Sequence, residues 1–213
     1  MTTLILVRHG ESAANEKNVF AGHTDVELSP LGKKQAERTA EYIAKNYTVD
    51  AIYSSDLKRA YDTGACAAKK LGLSITPDTA LREIYAGEWE NQKYDVLQTR
   101  YKADYDMWLT DIGKAVCTGG ESVQELSTRI RTRLTEIAKE HDGKTVLVTT
   151  HATPIRVCQC VWEGRTPEEM RDVPWVKNAS VTIAEYDGGV WTIKEAGQER
   201  HLAGIISELA PNV

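Results

Sequence analysis

The chain has 213 residues, 41% of them hydrophobic and 27% charged, with a formal net charge of −5 at pH 7. That is ordinary globular composition, and the negative balance argues against a nucleic-acid partner, which would call for a basic face. No apolar run approaches the roughly 20 residues of a membrane span.

The N-terminus carries no basic leader before its four apolar residues, so no membrane association and a cytoplasmic location are expected. Cys66, Cys117, Cys158 and Cys160 show neither metal-type nor redox-type spacing and are expected to be reduced thiols.

Leu4-Ile5-Leu6-Val7 is an uninterrupted apolar run, the pattern of a strand buried on both faces of a parallel sheet. It runs straight into Arg8-His9-Gly10. In open α/β sheets the crevice beyond the carboxyl ends of the strands is where ligands bind. A long polar loop follows, Glu11 to Ser29, of the kind that is functional or mobile. Ser29 as N-cap and Pro30 at the first position predict a helix over Leu31–Tyr47. Ala51–Ser54 reads as a second strand. Asp56 is then expected to cap a helix that ends near Leu71 at Gly72. Arg59 falls in its first turn, so its side chain should lean back toward the crevice, beside helix N-terminal donors suited to an anion.

Leu73–Thr76 reads as a weak strand. Lys93–Asp111 is predicted as a helix rich in Tyr94, Tyr101, Tyr105 and Trp108. It breaks the βα rhythm and is expected to be a lid insertion over the crevice, within about residues 85–120, its aromatics serving mainly as core. Ser122-x-x-Glu125 is a capping box opening a helix to about Glu140. His141, at that helix's end, is assigned to the helix dipole. Thr145–Thr150 is a second buried-type strand and delivers His151, with a helix from about Pro154 to Trp162. Ser180–Tyr186 and Val190–Glu195, around Asp187-Gly188-Gly189, predict an edge hairpin. No repeat, low-complexity tract or linker divides residues 1–213, which are read as a single domain. Nothing in the sequence fixes an oligomeric state.

Two strands thus bring two histidines to one edge of one sheet. With Arg8, His9, Arg59 and His151 gathered there, and Glu83 on a neighbouring loop, the set matches a phosphoryl group with its near-double charge and several acceptor oxygens. Metal ligation would want convergent carboxylates or cysteines, and the arginines would repel the ion; no metal and no cofactor are expected. A neutral histidine can act as nucleophile if one nitrogen faces phosphorus and the other donates to a fixed acceptor. Gly10 should let the backbone turn closely around that ring. Glu83 is the best-placed acid for a leaving alkoxide.

Arg8-His9-Gly10-Glu11-Ser12-x-x-Asn15, then Gly22-His23-Thr24-Asp25-x-x-Leu28-Ser29-x-x-Gly32-x-x-Gln35-Ala36, resembles the histidine phosphatase superfamily, the phosphoglycerate-mutase-like group. Ser54-Ser55-Asp56-Leu57-x-Arg59-Ala60, Leu81-Arg82-Glu83-Ile84 and Thr150-His151 continue the match. The resemblance implies a three-layer α/β sandwich with a mostly parallel central sheet and helices on both faces. It implies His9 as phosphoacceptor and Glu83 as proton donor and then base. It also implies a phosphate pocket of Arg8, Asn15, Arg59 and His151, with Gly22 beside them.

Departures from the family pattern narrow the reading. Ala152-Thr153-Pro154 follows the second histidine where many members have glycine. Ala21-Gly22 replaces the Thr-Gly of the glycolytic mutases, and the segment Tyr85–Thr150 is shorter and lacks their paired arginines. A phosphatase acting on a small phosphorylated substrate is therefore expected. A bisphosphoglycerate-dependent mutase is the enzyme alternative, and a non-catalytic phospho-ligand module the third.

Overall fold

Strand β1 (Thr2–Arg8) lies inside a six-stranded sheet, with Leu4, Ile5, Leu6 and Val7 completely buried. The computed structural model describes residues 1–208. The other strands are β2 (Ala51–Ser54), β3 (Ile75–Pro77), β4 (Thr145–Thr150), β5 (Val181–Asp187) and β6 (Val190–Gln198), and the spatial order is β3-β2-β4-β1-β5-β6. Pairing is parallel from β3 through β1 and antiparallel for β5 and β6. One register positions the site. Arg8 is paired with Thr150 across β1 and β4, so the next residues, His9 and His151, leave the sheet side by side.

Alternation along β1 explains why all four apolar residues are needed, since successive side chains point to opposite faces. The loop after β1 contains a single helical turn, α1 (Ala13–Glu16). On one face α2 (Pro30–Asn46) and α3 (Lys58–Leu71) set Ala40, Ile43 and Ala67 against Ile5, Val7 and Leu147. The opposite face is covered by α6 (Val123–Glu140) and α7 (Ala152–Trp162), whose Leu126, Ile130 and Ile155 join the cluster of Leu4, Leu6 and Val148. The result is the expected three-layer sandwich, with β5–β6 as the edge hairpin.

Between these helices the insertion forms two helices rather than one, α4 (Tyr94–Arg100) and α5 (Lys102–Thr110), broken at Tyr101 (φ −118°, ψ 35°). Tyr105 and Trp108 are buried in the main core, as expected of that aromatic segment.

Local chemistry accounts for most boundaries. The Ser29 hydroxyl accepts from Gly32 N–H at 3.0 Å, with Pro30 at the first turn. The Ser122–Glu125 capping box is formed in both directions. Asp56 does not cap α3. Its carboxylate is taken by Arg82, whose Nε donates to Oδ1 at 2.7 Å, and Leu57 occupies the cap position without a side-chain bond. The N–H of Lys58 donates instead to Asp25 Oδ1 at 2.7 Å, so that helix donor is not open to a ligand. His141 ends α6, with its Nε2 within 3.1 Å of the Tyr53 hydroxyl. A Cβ on Gly10 would collide with the Gly32 carbonyl oxygen. The glycine there allows the close passage of α2. All four cysteines are free thiols. Among the described residues no helix is long and apolar enough to cross a membrane.

Candidate active site

Arg8, His9, Asn15, Gly22, Arg59 and Glu83 line one small cavity of about 50 Å³ beyond the β1 and β4 strand ends. His9 is 4% exposed, and its Nδ1 donates to the carbonyl of Gly10 at 2.7 Å. Because a carbonyl can only accept, the proton sits on Nδ1 and Nε2 keeps its lone pair. Burial, then the nearby Arg59 and Arg8 guanidinium groups, hold His9 well below the ordinary imidazole range. The ring is neutral at physiological pH.

His151 is fully buried but does not line the cavity. It stands behind His9 with ring centroids 5.1 Å apart and planes at 63°. Its Nε2 is 2.9 Å from Ser55 Oγ. That hydroxyl also accepts the N–H of Leu57 at 3.3 Å, and the other ring nitrogen of His151, Nδ1, is buried without a partner. Burial and then the Arg59 charge push His151 well down as well.

Both arginines are tethered by backbone carbonyls. Arg8 donates to Val176 O at 2.7 Å, while its Nε is buried and unpartnered. Arg59 donates to Thr24 O at 2.9 Å and to Gly22 O at 2.7 Å. Gly22 has φ +51°, the left-handed backbone that lets its carbonyl face the guanidinium. Burial lowers each to about 10, opposed by the Glu83 carboxylate, and both stay charged at neutral pH. Asn15 completes a capping box with Ser12, and its carboxamide oxygen also accepts from Asn178 at 3.3 Å. The amide nitrogen of Asn15 is left for the pocket.

Glu83 accepts from its neighbour Ile84 N–H at 2.8 Å and from Thr153 N–H at 3.3 Å. The second contact arises because α7 begins at Ala152, directly after His151, two residues earlier than the Pro154 start the sequence predicts. Behind Glu83, Arg129 donates to the carbonyls of Ala80, Arg82 and Glu83 at 2.9, 3.0 and 3.1 Å. Its other donors hold Glu121 at 3.0 and 2.8 Å. One guanidinium thus fixes the backbone that carries the acid. Ser55 was legible within the Ser54-Ser55-Asp56 motif, but Asn178, Arg129 and the cavity-lining Trp175 carried no sequence signal.

A buried, cationic pocket with a neutral histidine at a strand end, on this sheet, defines a phosphate-handling α/β enzyme. The chain belongs to the histidine phosphatase superfamily (branch 1), which it matches over residues 4–199. It is 36% identical over 205 residues to phosphoglycerate mutase-like protein 4 of Arabidopsis thaliana, covering 93% of this chain and 86% of that one. It is 35% identical over 164 residues to phosphoserine phosphatase 1 of Hydrogenobacter thermophilus, 77% of each chain. A phosphoserine phosphatase mutant from Entamoeba histolytica, solved with phosphoserine, shares the fold with a TM-score of 0.83 and 27% identity, over 95% of this chain and 100% of that one. This chain is a histidine phosphatase enzyme.

Proposed function

We propose that the chain hydrolyses phosphomonoesters of small metabolites through a phosphohistidine at His9. The carrying observation is the His9 tautomer: Nδ1 is tied to the Gly10 carbonyl, and Nε2 is free in a pocket walled by Arg8 and Arg59. Nε2 attacks phosphorus, the bond to the alcohol oxygen breaks, and Glu83 gives its proton to the departing alkoxide. The carboxylate so formed takes a proton from water as the water oxygen attacks phosphorus. The N–P bond breaks, inorganic phosphate leaves and His9 returns neutral. Arg8, Arg59 and Asn15 stabilise charge on the transferring phosphoryl oxygens, the dominant demand of this chemistry, while His151 packs behind the nucleophile's ring.

Hydrolysis is favoured over mutase action because the cavity lining offers two arginines, both beside the nucleophile, and no further cation for a substrate carboxylate. The four free thiols support a reducing, cytoplasmic setting. The test is phosphate release across a panel of sugar phosphates, nucleotides and phosphoamino acids, with and without EDTA. Wild type should release phosphate with EDTA present, and His9→Ala should lose about 10,000-fold or more. Transfer of phosphoryl between positions of phosphoglycerate without net release would instead make it a mutase.

A further inference from the structure

Besides Ser12, Ala21, Ala152 and Thr153, the rest of the cavity lining is a wall of Val19, Phe20, Tyr94, Trp108 and Trp175. These rings brace one another. Trp108 stacks on Trp175 at 6.2 Å with planes at 28°. Phe20 stands edge-on to Trp108 at 5.4 Å and to Tyr94 at 6.3 Å. Trp175 is clamped by Arg156, whose guanidinium carbon lies 4.1 Å from the ring centroid. Arg156 itself does not line the cavity, and its donors go to the carbonyls of Val173 and Met170 at 2.7 and 3.0 Å.

Arg8, His9, Asn15 and Arg59 on the polar side of the cavity take the phosphoryl group. The alcohol part of the ester is left to the aromatic wall that faces them. Among the lining residues the only cations are Arg8 and Arg59, and the remaining charged side chain is Glu83. A carboxylate on the alcohol would meet the aromatic rings with no counter-charge, since both arginines face the phosphoryl group.

We propose that this phosphatase selects esters whose alcohol is uncharged and offers an apolar face to the wall of Phe20, Tyr94, Trp108 and Trp175. The inference rests on the phosphatase reading and names its substrate class. Contact with such a wall, and loss of a desolvated carboxylate, are each worth factors of about 10 to 100. The shared chemistry is met by an aryl-alkyl alcohol or by the C–H face of a sugar.

The test compares kcat/KM for four esters of primary alcohols, whose leaving groups are chemically alike. They are benzyl phosphate, a hexose phosphate esterified at its primary alcohol, O-phosphoserine, and phosphoglycerate esterified at its primary alcohol. At least one neutral ester should exceed both carboxylated esters by about 10-fold or more. Benzyl above hexose assigns the aryl source, and the reverse assigns the sugar. Trp175→Ala should lower the better neutral ester and leave the carboxylated ones little changed. Val19→Lys, at a half-buried position that needs no core repacking, should narrow the ratio by favouring the carboxylated esters. Phosphoserine or phosphoglycerate matching the neutral esters, or an unchanged ratio in Val19→Lys, would overturn the inference. No turnover of any of the four would remove the phosphatase reading itself, and this inference with it.

Discussion

Arg8, His9 and Arg59 are each anchored to a backbone carbonyl, of Val176, Gly10 and Gly22 respectively, whereas Phe20, Trp108 and Trp175 on the facing wall are held by one another's rings. The polar floor is built at strand ends, where the sheet register itself sets the spacing. The aromatic wall is assembled from the loop after β1, from α4 and α5 and from the segment before β5. Hydrogen bonds give the floor one geometry, suited to one group, the phosphoryl. Ring packing gives the wall a shape and an apolar character, suited to a class of alcohols. Floor changes should therefore alter the chemistry whatever the alcohol's shape, and wall changes should alter the choice of alcohol.

After His9→Ala, the largest effect is expected at Glu83. Glu83→Gln should lose about 100-fold or more on alkyl phosphates, whose alkoxides need a proton, and only a few-fold on p-nitrophenyl phosphate, whose phenolate does not. Steady-state kcat/KM on the two substrates reads this directly. Equal losses on both would place the residue among those that merely hold the pocket.

That distinction also marks how far the sequence could be read. The floor was legible because its residues follow strand ends or open a helix: Arg8-His9 after Leu4–Val7, His151 after Thr145–Thr150, Arg59 in the first turn of α3. Local patterns of that kind need no knowledge of distant contacts. Asp56 does not cap the helix its position announces, because Arg82, a distant partner, takes its carboxylate. The break at Tyr101 inside a helical, aromatic run was likewise invisible. So was Trp175, which reaches the site only because Arg156 pins residues 170–173 by their carbonyls. Its segment has no periodicity to announce it.

A smaller effect is expected behind the floor. Arg129→Gln loosens the backbone of Ala80, Arg82 and Glu83 without touching substrate. It should lose about 10-fold on alkyl phosphates and clearly less on p-nitrophenyl phosphate, the same signature as Glu83→Gln at reduced size. Arg129→Lys, retaining a donor, should recover part of the loss. A uniform fall on both substrates, tracking lost stability, would reduce Arg129 to a structural residue.

The smallest effect separates floor from wall by titration. His9 and His151 are buried and held below their unfolded value near 6.5. The folded state then binds fewer protons than the unfolded chain. Their contribution is complete above about pH 6.5 and is lost as pH falls below it, at up to about 1.4 kcal/mol per pH unit for each ring. His201, half-buried beside Ala179, adds in the same sense. Denaturant melts at several pH values should show a shallower acid slope for His151→Asn than for wild type. Wall variants such as Trp175→Ala should leave the slope unchanged. Identical slopes for His151→Asn and wild type would contradict the buried, neutral state of that ring.

The nucleophile is the central claim, and rapid quenching tests it most directly. Enzyme mixed with a phosphomonoester carrying a radiolabelled phosphoryl group, then quenched in base within the first turnover, should retain protein-bound label. The account predicts that this label is stable to base, released by acid and mapped to His9, and that His9→Ala neither acquires it nor turns over. An acid-stable label, a label on another residue, or full turnover by His9→Ala would contradict it.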